Sequence, residues 1–210
     1  MRFQRSHLSI VRSIRQLSLV RGWLRARGDA GLPSIVSFEP DTRAGDAPDL
    51  SLFKVARHGE GIDYICLHAG ERVRTVYDTT MWGRSLFDCL EPALAAAAEP
   101  VWEACVATAL PVYAIVPVID RQGCPVTIEQ LFLPYSRGTA RPDFLVASLH
   151  AWSTEGRFVV RGLLRNGAEA PAHWAVVIDP EMTAAVEPMH DGAVGPGWPV
   201  PEERIVLAAI

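Results

Sequence analysis

Lysine is nearly absent from this sequence: Lys54 is the only one, and all other basic charge is arginine. That bias reads as GC-rich coding rather than as recognition chemistry. Cysteine is also scarce. Cys66, Cys89, Cys105 and Cys124 show no Cys-x-x-Cys spacing and sit among apolar neighbours, which points to buried free thiols and a reducing cytoplasm rather than to disulfides or a metal site. No run approaches the roughly 18–20 apolar residues of a membrane span. The N-terminus is basic and then apolar, but Arg12, Arg15 and Arg21 interrupt every apolar core that a targeting signal needs, and no small-residue cleavage site follows. The expected location is cytoplasmic. No GxxxxGK[ST], GxGxxG, GxSxG or HExxH motif occurs, so phosphate-loop, dinucleotide, hydrolase-elbow and zincin chemistries lack their signatures. The six histidines form no HxH or HxxxH pair, which argues against metal binding. These absences argue against an enzyme.

What is present suits one domain with extensions: 210 residues, 49% hydrophobic and 21% charged, within the ordinary globular range. The charge is unevenly placed. Residues 1–28 carry seven arginines and no acid, and the formal net charge of −4 leaves −11 for residues 29–210. An acidic body argues against a broad nucleic-acid surface. Ile10, Ile14, Leu17, Val20 and Leu24 recur at helical spacing, with most arginines off that stripe and Gly28 and Gly31 ending it. Such a helix packs on its own domain, and the same stripe serves dimerisation or docking.

Residues 32–49 hold Pro33, Pro40, Gly45 and Pro48 and read as an irregular connection. Leu50–Ala56 and Ile62–Leu67 are expected strands around a His58–Gly61 turn. Between residues 70 and 110 the pattern predicts short helical pieces: a capping box from Ser85 to Asp88, breaks at Pro92 and Pro100, and a helix from Pro100 to Ala109 with Val101, Cys105 and Thr108 on one side and Trp102, Val106 and Ala109 beside them. Val112–Ile119, Val126–Tyr135 and Phe144–Trp152 then predict an antiparallel meander, apolar on both faces and therefore covered on both, by the short helices and by the N-terminal helix. Phe158–Leu164 and Trp174–Ile178 are further expected strands, followed by an irregular tail with Pro180, Pro188, Pro196, Pro199 and Pro201 and an apolar run from Ile205 to Ile210.

The residues that match a known family run in order: Trp23, Arg27-Gly28, Leu32-Pro33-Ser34, Phe38-Glu39-Pro40, Pro48-Asp49-Leu50, Trp82-Gly83-Arg84-Ser85-Leu86, Pro111 and Glu129–Ser136. Over residues 14–152 the chain resembles the PAS-like proteins of alphaproteobacteria, PAS domain-containing proteins of unknown function. Gly83-Arg84-Ser85-Leu86 resembles the glycine-led helix start common in that family. The resemblance implies an α+β fold with a five-stranded antiparallel sheet, short helices on one face enclosing a small cavity, and the N-terminal helix. The organisation expected is an N-terminal helix at 1–31, a PAS-like domain at 32–152 and an extension at 153–210 packed on it. Two departures stand out. Tyr64–Gly70 lacks the Arg-hydrophobic-Gly segment often found in the family's second strand, and nothing in the family corresponds to the tail after Ser153.

On that resemblance the cavity is lined by Tyr64, Trp82, Trp102, Cys105, Tyr113 and His150. The expected ligand is a small apolar or aromatic molecule. Haem is not favoured, although His68 and His150 are the side chains that would serve it. Flavin photochemistry is not favoured either, because Phe87-Asp88-Cys89-Leu90 does not resemble the Asn-Cys-Arg-Phe setting of LOV domains. The expected protein is a sensory or adaptor homodimer that signals through a partner protein. A ligand-free packed interaction domain stands beside that reading, and an enzyme whose Cys/His pair meets only in space comes third.

Overall fold

The computed structural model describes residues 3–28, 31–39, 47–59, 61–165 and 174–182. In chain order the elements are β1 (Arg5–Ser6), α1 (Ile14–Arg27), β2 (Leu50–His58), β3 (Gly61–Ala69), α2 (Glu71–Tyr77), α3 (Pro92–Thr108), β4 (Val112–Ile119), β5 (Pro125–Tyr135), β6 (Phe144–Trp152) and β7 (Trp174–Ile178). Single 3-10 turns lie at Leu8–Ile10, Ile35–Ser37, Ala47–Asp49 and Phe87–Cys89. The fold is α+β. The strands form one sheet in the order β1-β7-β4-β5-β6-β2-β3, antiparallel throughout except where β1 runs parallel to β7. A seven-stranded mixed sheet thus replaces the expected five-stranded antiparallel one. The five expected strands are contiguous within it. Trp174–Ile178 joins the sheet rather than lying on it, bonding the free edge of β4 with Val112 opposite Val177. Two residues of β1 are too few to leave a periodic signal. The tail from residue 183 lies outside the described residues.

Alternation along the central strands produces two cores. Val112, Ala114, Val116, Ile128, Phe132, Leu145 and Ala147 face α2 and α3. Tyr113, Leu131, Leu133, Tyr135, Phe144 and Val146 face α1. Each large side chain removed from water contributes about 1.5–3 kcal/mol, so neither face is stable bare. The expected cover on both sides is present.

The predicted stripe holds at Ile10, Leu17, Val20 and Leu24, which pack on this core, but the buried side of α1 is shifted away from Ile14. Ile14 is 85% exposed, whereas Gln16, Val20 and Trp23 are buried. Two polar contacts set this rotation. The Trp23 Nε1–H donates to the Pro134 carbonyl at 2.7 Å. The Gln16 amide donates to the carbonyls of Glu129 (3.1 Å) and Ser148 (3.2 Å) on neighbouring strands. An Ile-led rotation would strand these buried groups without partners, at a cost of about 1–3 kcal/mol each. Asp49 adds a lateral tie: Arg72 of α2 reaches both its oxygens within 2.6 Å and Arg15 of α1 approaches at 3.4 Å.

Three local expectations are also corrected. First, α3 begins with Pro92 in its first turn and continues through Pro100 instead of restarting there. The alanine run before Pro100 favours helix, and the buried side of Leu94, Ala97, Val101, Trp102 and Cys105 offsets the interior-proline penalty of about 3 kcal/mol. Second, residues 158–164 form no strand. Leu163 and Leu164 sit in a turn bonded to the end of α2, through Gly162 N to Thr75 O (3.0 Å) and Leu164 N to Val76 O (3.3 Å). Third, Gly83–Leu86 lies along the outer edge of β3, with Gly83 N on Cys66 O and Leu86 N on Tyr64 O, and shields that edge from pairing. The Ser85 hydroxyl bonds Asp63 rather than forming a capping box with Asp88.

Two glycines test this packing. A Cβ at Gly70 would overlap the Ala47 and Pro48 carbonyls, whereas one at Gly22 in mid-α1 meets only the end of Arg25. In urea unfolding, Gly70→Ala is expected to destabilise by about 1–3 kcal/mol and Gly22→Ala to stabilise by about 0.5–1 kcal/mol. Equal effects would contradict the close approach at Gly70.

Candidate functional site

Three of the six expected cavity residues meet. Tyr64 from β3, Trp102 and Cys105 from α3 lie in the core between sheet and helices. The Trp102 ring sits 4.8 Å from Phe53, 5.0 Å from Tyr64 and 4.7 Å from Phe132, centroid to centroid. These edge and tilted contacts are the favoured aromatic geometries. The space left beside Trp102, Val73, Tyr77, Gln130 and Phe132 is about 10 Å³, the room of one water molecule. The indole sits at the centre of this aromatic group. Phe53 and Phe132, not foreseen as site residues, complete the plug. The Tyr64 hydroxyl has no hydrogen-bond partner among the described residues. Burial, then the neighbouring Cys105, pushes its pKa far above the usual phenol range.

The other three lie elsewhere. Tyr113 is fully buried on the opposite face, under α1. His150 is exposed on that same face, beside Ser13, Arg15 and Asp49. Trp82 is outside the core and 76% exposed. Where both faces of a strand are apolar, the sequence does not say which alternate residues face which cover; Tyr113 and His150 face α1 rather than α3.

Beneath α1 lies a buried polar group that sequence reasoning missed. Glu129 is 2% exposed and accepts from Trp152 Nε1 at 2.8 Å. Burial raises the pKa of the nearby Tyr113 phenol, and the Glu129 carboxylate raises it further. The Gln16 Oε1 and Glu129 Oε2 atoms make no hydrogen bond among the described residues. The available signal was slight: one glutamine off an apolar helix stripe, and one glutamate within the run Val126–Tyr135.

On the surface, Trp82 borders a cleft of about 570 Å³ between α2 and the end of β3, shared with Pro48, His68, Arg74, Thr80 and Met81. A second groove of about 580 Å³ separates α3 from the edge strands, with Phe3, Arg5, Glu103 and Ala107 along it. No cluster of His, Cys, Asp or Glu able to hold a metal occurs among the described residues. The thiols are free, and three are buried. Burial raises Cys66 to about 11 and raises Cys89 and Cys105 as well, which suppresses the reactive thiolate. No helix of the described residues is long and apolar enough to cross a membrane. Compared with known proteins, the chain matches no family model and no curated protein.

Trp102→Ala is expected to lower stability by about 3–5 kcal/mol. It should also open an apolar cavity that takes up indole, so added indole recovers part of the lost melting temperature. Trp82→Ala should change stability by no more than about 0.5 kcal/mol while lowering the iodide-quenchable share of the tryptophan emission. A thiol titration near pH 8 should label Cys124 rapidly and the other three only after denaturation. Rapid labelling of Cys66 or Cys89 would show that the core opens.

Proposed function

We propose that the chain is a ligand-free interaction domain of PAS-like architecture that works through surface contacts with a partner protein. One observation carries this reading: the enclosed space between sheet and helices is occupied by the Trp102 indole and its aromatic neighbours, leaving about 10 Å³. Drug-sized ligand pockets run to several hundred Å³. The order of two strands, helices and three strands from Leu50 to Trp152 supports the PAS-like assignment on the resemblance alone. With the core filled, recognition falls to the surface, where Trp82 stands exposed beside Arg74. Tryptophan and arginine are the side chains most enriched at binding hot spots.

A ligand-responsive sensor is the second reading, and the open cleft at Trp82 favours it. In that case the ligand sits between α2 and β3 rather than in the core, and it acts only through differential affinity for two states.

The deciding experiment is a near-ultraviolet and visible absorption spectrum of freshly purified protein, with denaturing extraction and mass spectrometry on the same sample. The expected result is a protein-only spectrum and no stoichiometric extract. A Soret or flavin band, or an extracted molecule at one per chain, would overturn the interaction-domain reading.

A further inference from the structure

The outer face of α1 combines exposure with charge of one sign. Ile14, Ser18, Arg21 and Arg25 fall at helical spacing and all four are exposed, opposite the buried Gln16, Val20 and Trp23. α1 contains four arginines and no acid. Arg15 is held by Asp49 at 3.4 Å and Arg27 lies over the Trp23 ring at 5.7 Å. Arg21 and Arg25 form no ion pair among the described residues. Like charges four residues apart on a helix repel. The helix dipole favours Arg25 in the last turn, but not Arg21, which lies further in. Among the described residues nothing offsets that repulsion, and a negatively charged partner would relieve it.

We propose that this face docks an acidic protein segment, a helix or strand bearing spaced carboxylates. The inference rests on the interaction-domain reading. Charge complementarity selects the partner. Arginine forks match carboxylates in paired hydrogen bonds, and the small side chains at Ser18, one turn before Arg21, and Gly22 allow a close backbone approach. The cationic face spans one helix of 14 residues, about 21 Å at 1.5 Å per residue, a length suited to one peptide segment. Residues 29–210 sum to −11, so an extended polyanion would meet repulsion on either side of the helix. The face shows no exposed aromatic for base stacking. Ile14 is its one large exposed apolar residue, too little for insertion into a lipid surface. A second copy docked α1 against α1 would bring Arg21 and Arg25 against their own counterparts, which disfavours the expected dimer through this helix.

The test uses the full chain. Binding is measured to a labelled alanine-based helical peptide with glutamate at i, i+4 and i+7, to a scrambled peptide of equal composition, to a short DNA duplex and to phosphatidylserine vesicles. The expected order places the patterned peptide tightest, with affinity falling as salt rises. In the double variant R21E/R25E its Kd should rise at least about tenfold with an unchanged melting temperature, and the lysine pair R21K/R25K should retain part of the binding. Equal Kd for R21E/R25E and the parent would overturn the proposal, as would tighter binding to duplex or vesicles. Self-association abolished by R21E/R25E would overturn it in favour of a second copy. An extracted ligand would remove the interaction-domain reading without altering these affinities, whereas failure here with a protein-only spectrum removes only the assignment of α1.

Discussion

The central strands β4, β5 and β6 are apolar on both faces, and most of the structure follows from covering them. A sheet of this kind has no face to leave in water. α2, α3 and the turn at residues 161–165 close one side around Trp102, and α1 with the segment around Leu32 closes the other around Trp23. The extra strands extend the same logic sideways. β7 and β1 protect the edge of β4, and Gly83–Leu86 protects the edge of β3.

The two covers are held differently. The α3 side is almost wholly apolar and aromatic, so its geometry rests on shape, with one tryptophan meeting three other rings. The α1 side adds directional contacts, the indole of Trp23 on Pro134 and the amide of Gln16 on two strand carbonyls. Those bonds orient the helix about its axis, and that orientation turns Arg21 and Arg25 outward. A tightly packed aromatic core on one face and an outward cationic helix on the other are thus the two results of covering both faces of the sheet.

Much of the strand layout was legible. Leu50–Ala56, Val112–Ile119, Phe144–Trp152 and Trp174–Ile178 announce themselves through β-branched or apolar runs bounded by turn residues, because the strand preference is local. Helical details were less legible. Pro100 marks a break by its own chemistry, yet α3 passes through it because the side chains on either side are buried together. The Ile14-led stripe was a sound periodicity, but periodicity does not weigh a tryptophan and a glutamine that each find a strand carbonyl. The candidate site suffered most. Tyr64 and Trp102 do meet, while Tyr113 lies beneath the other cover and Trp82 projects from the segment along the β3 edge.

By itself, the sequence determined the α+β composition, the positions of six of the seven strands, the need to cover both faces and the acid-free, arginine-bearing character of the first 28 residues, since these depend on local pattern and on counts. Tertiary structure alone decided which cover each strand residue faces, how α1 is rotated, that β7 joins the sheet and that Trp102 fills the chamber. The physical reason is that these depend on contacts between residues far apart in the chain. Glu129 and Gln16, 113 positions apart, carry no mark in the sequence that they will meet.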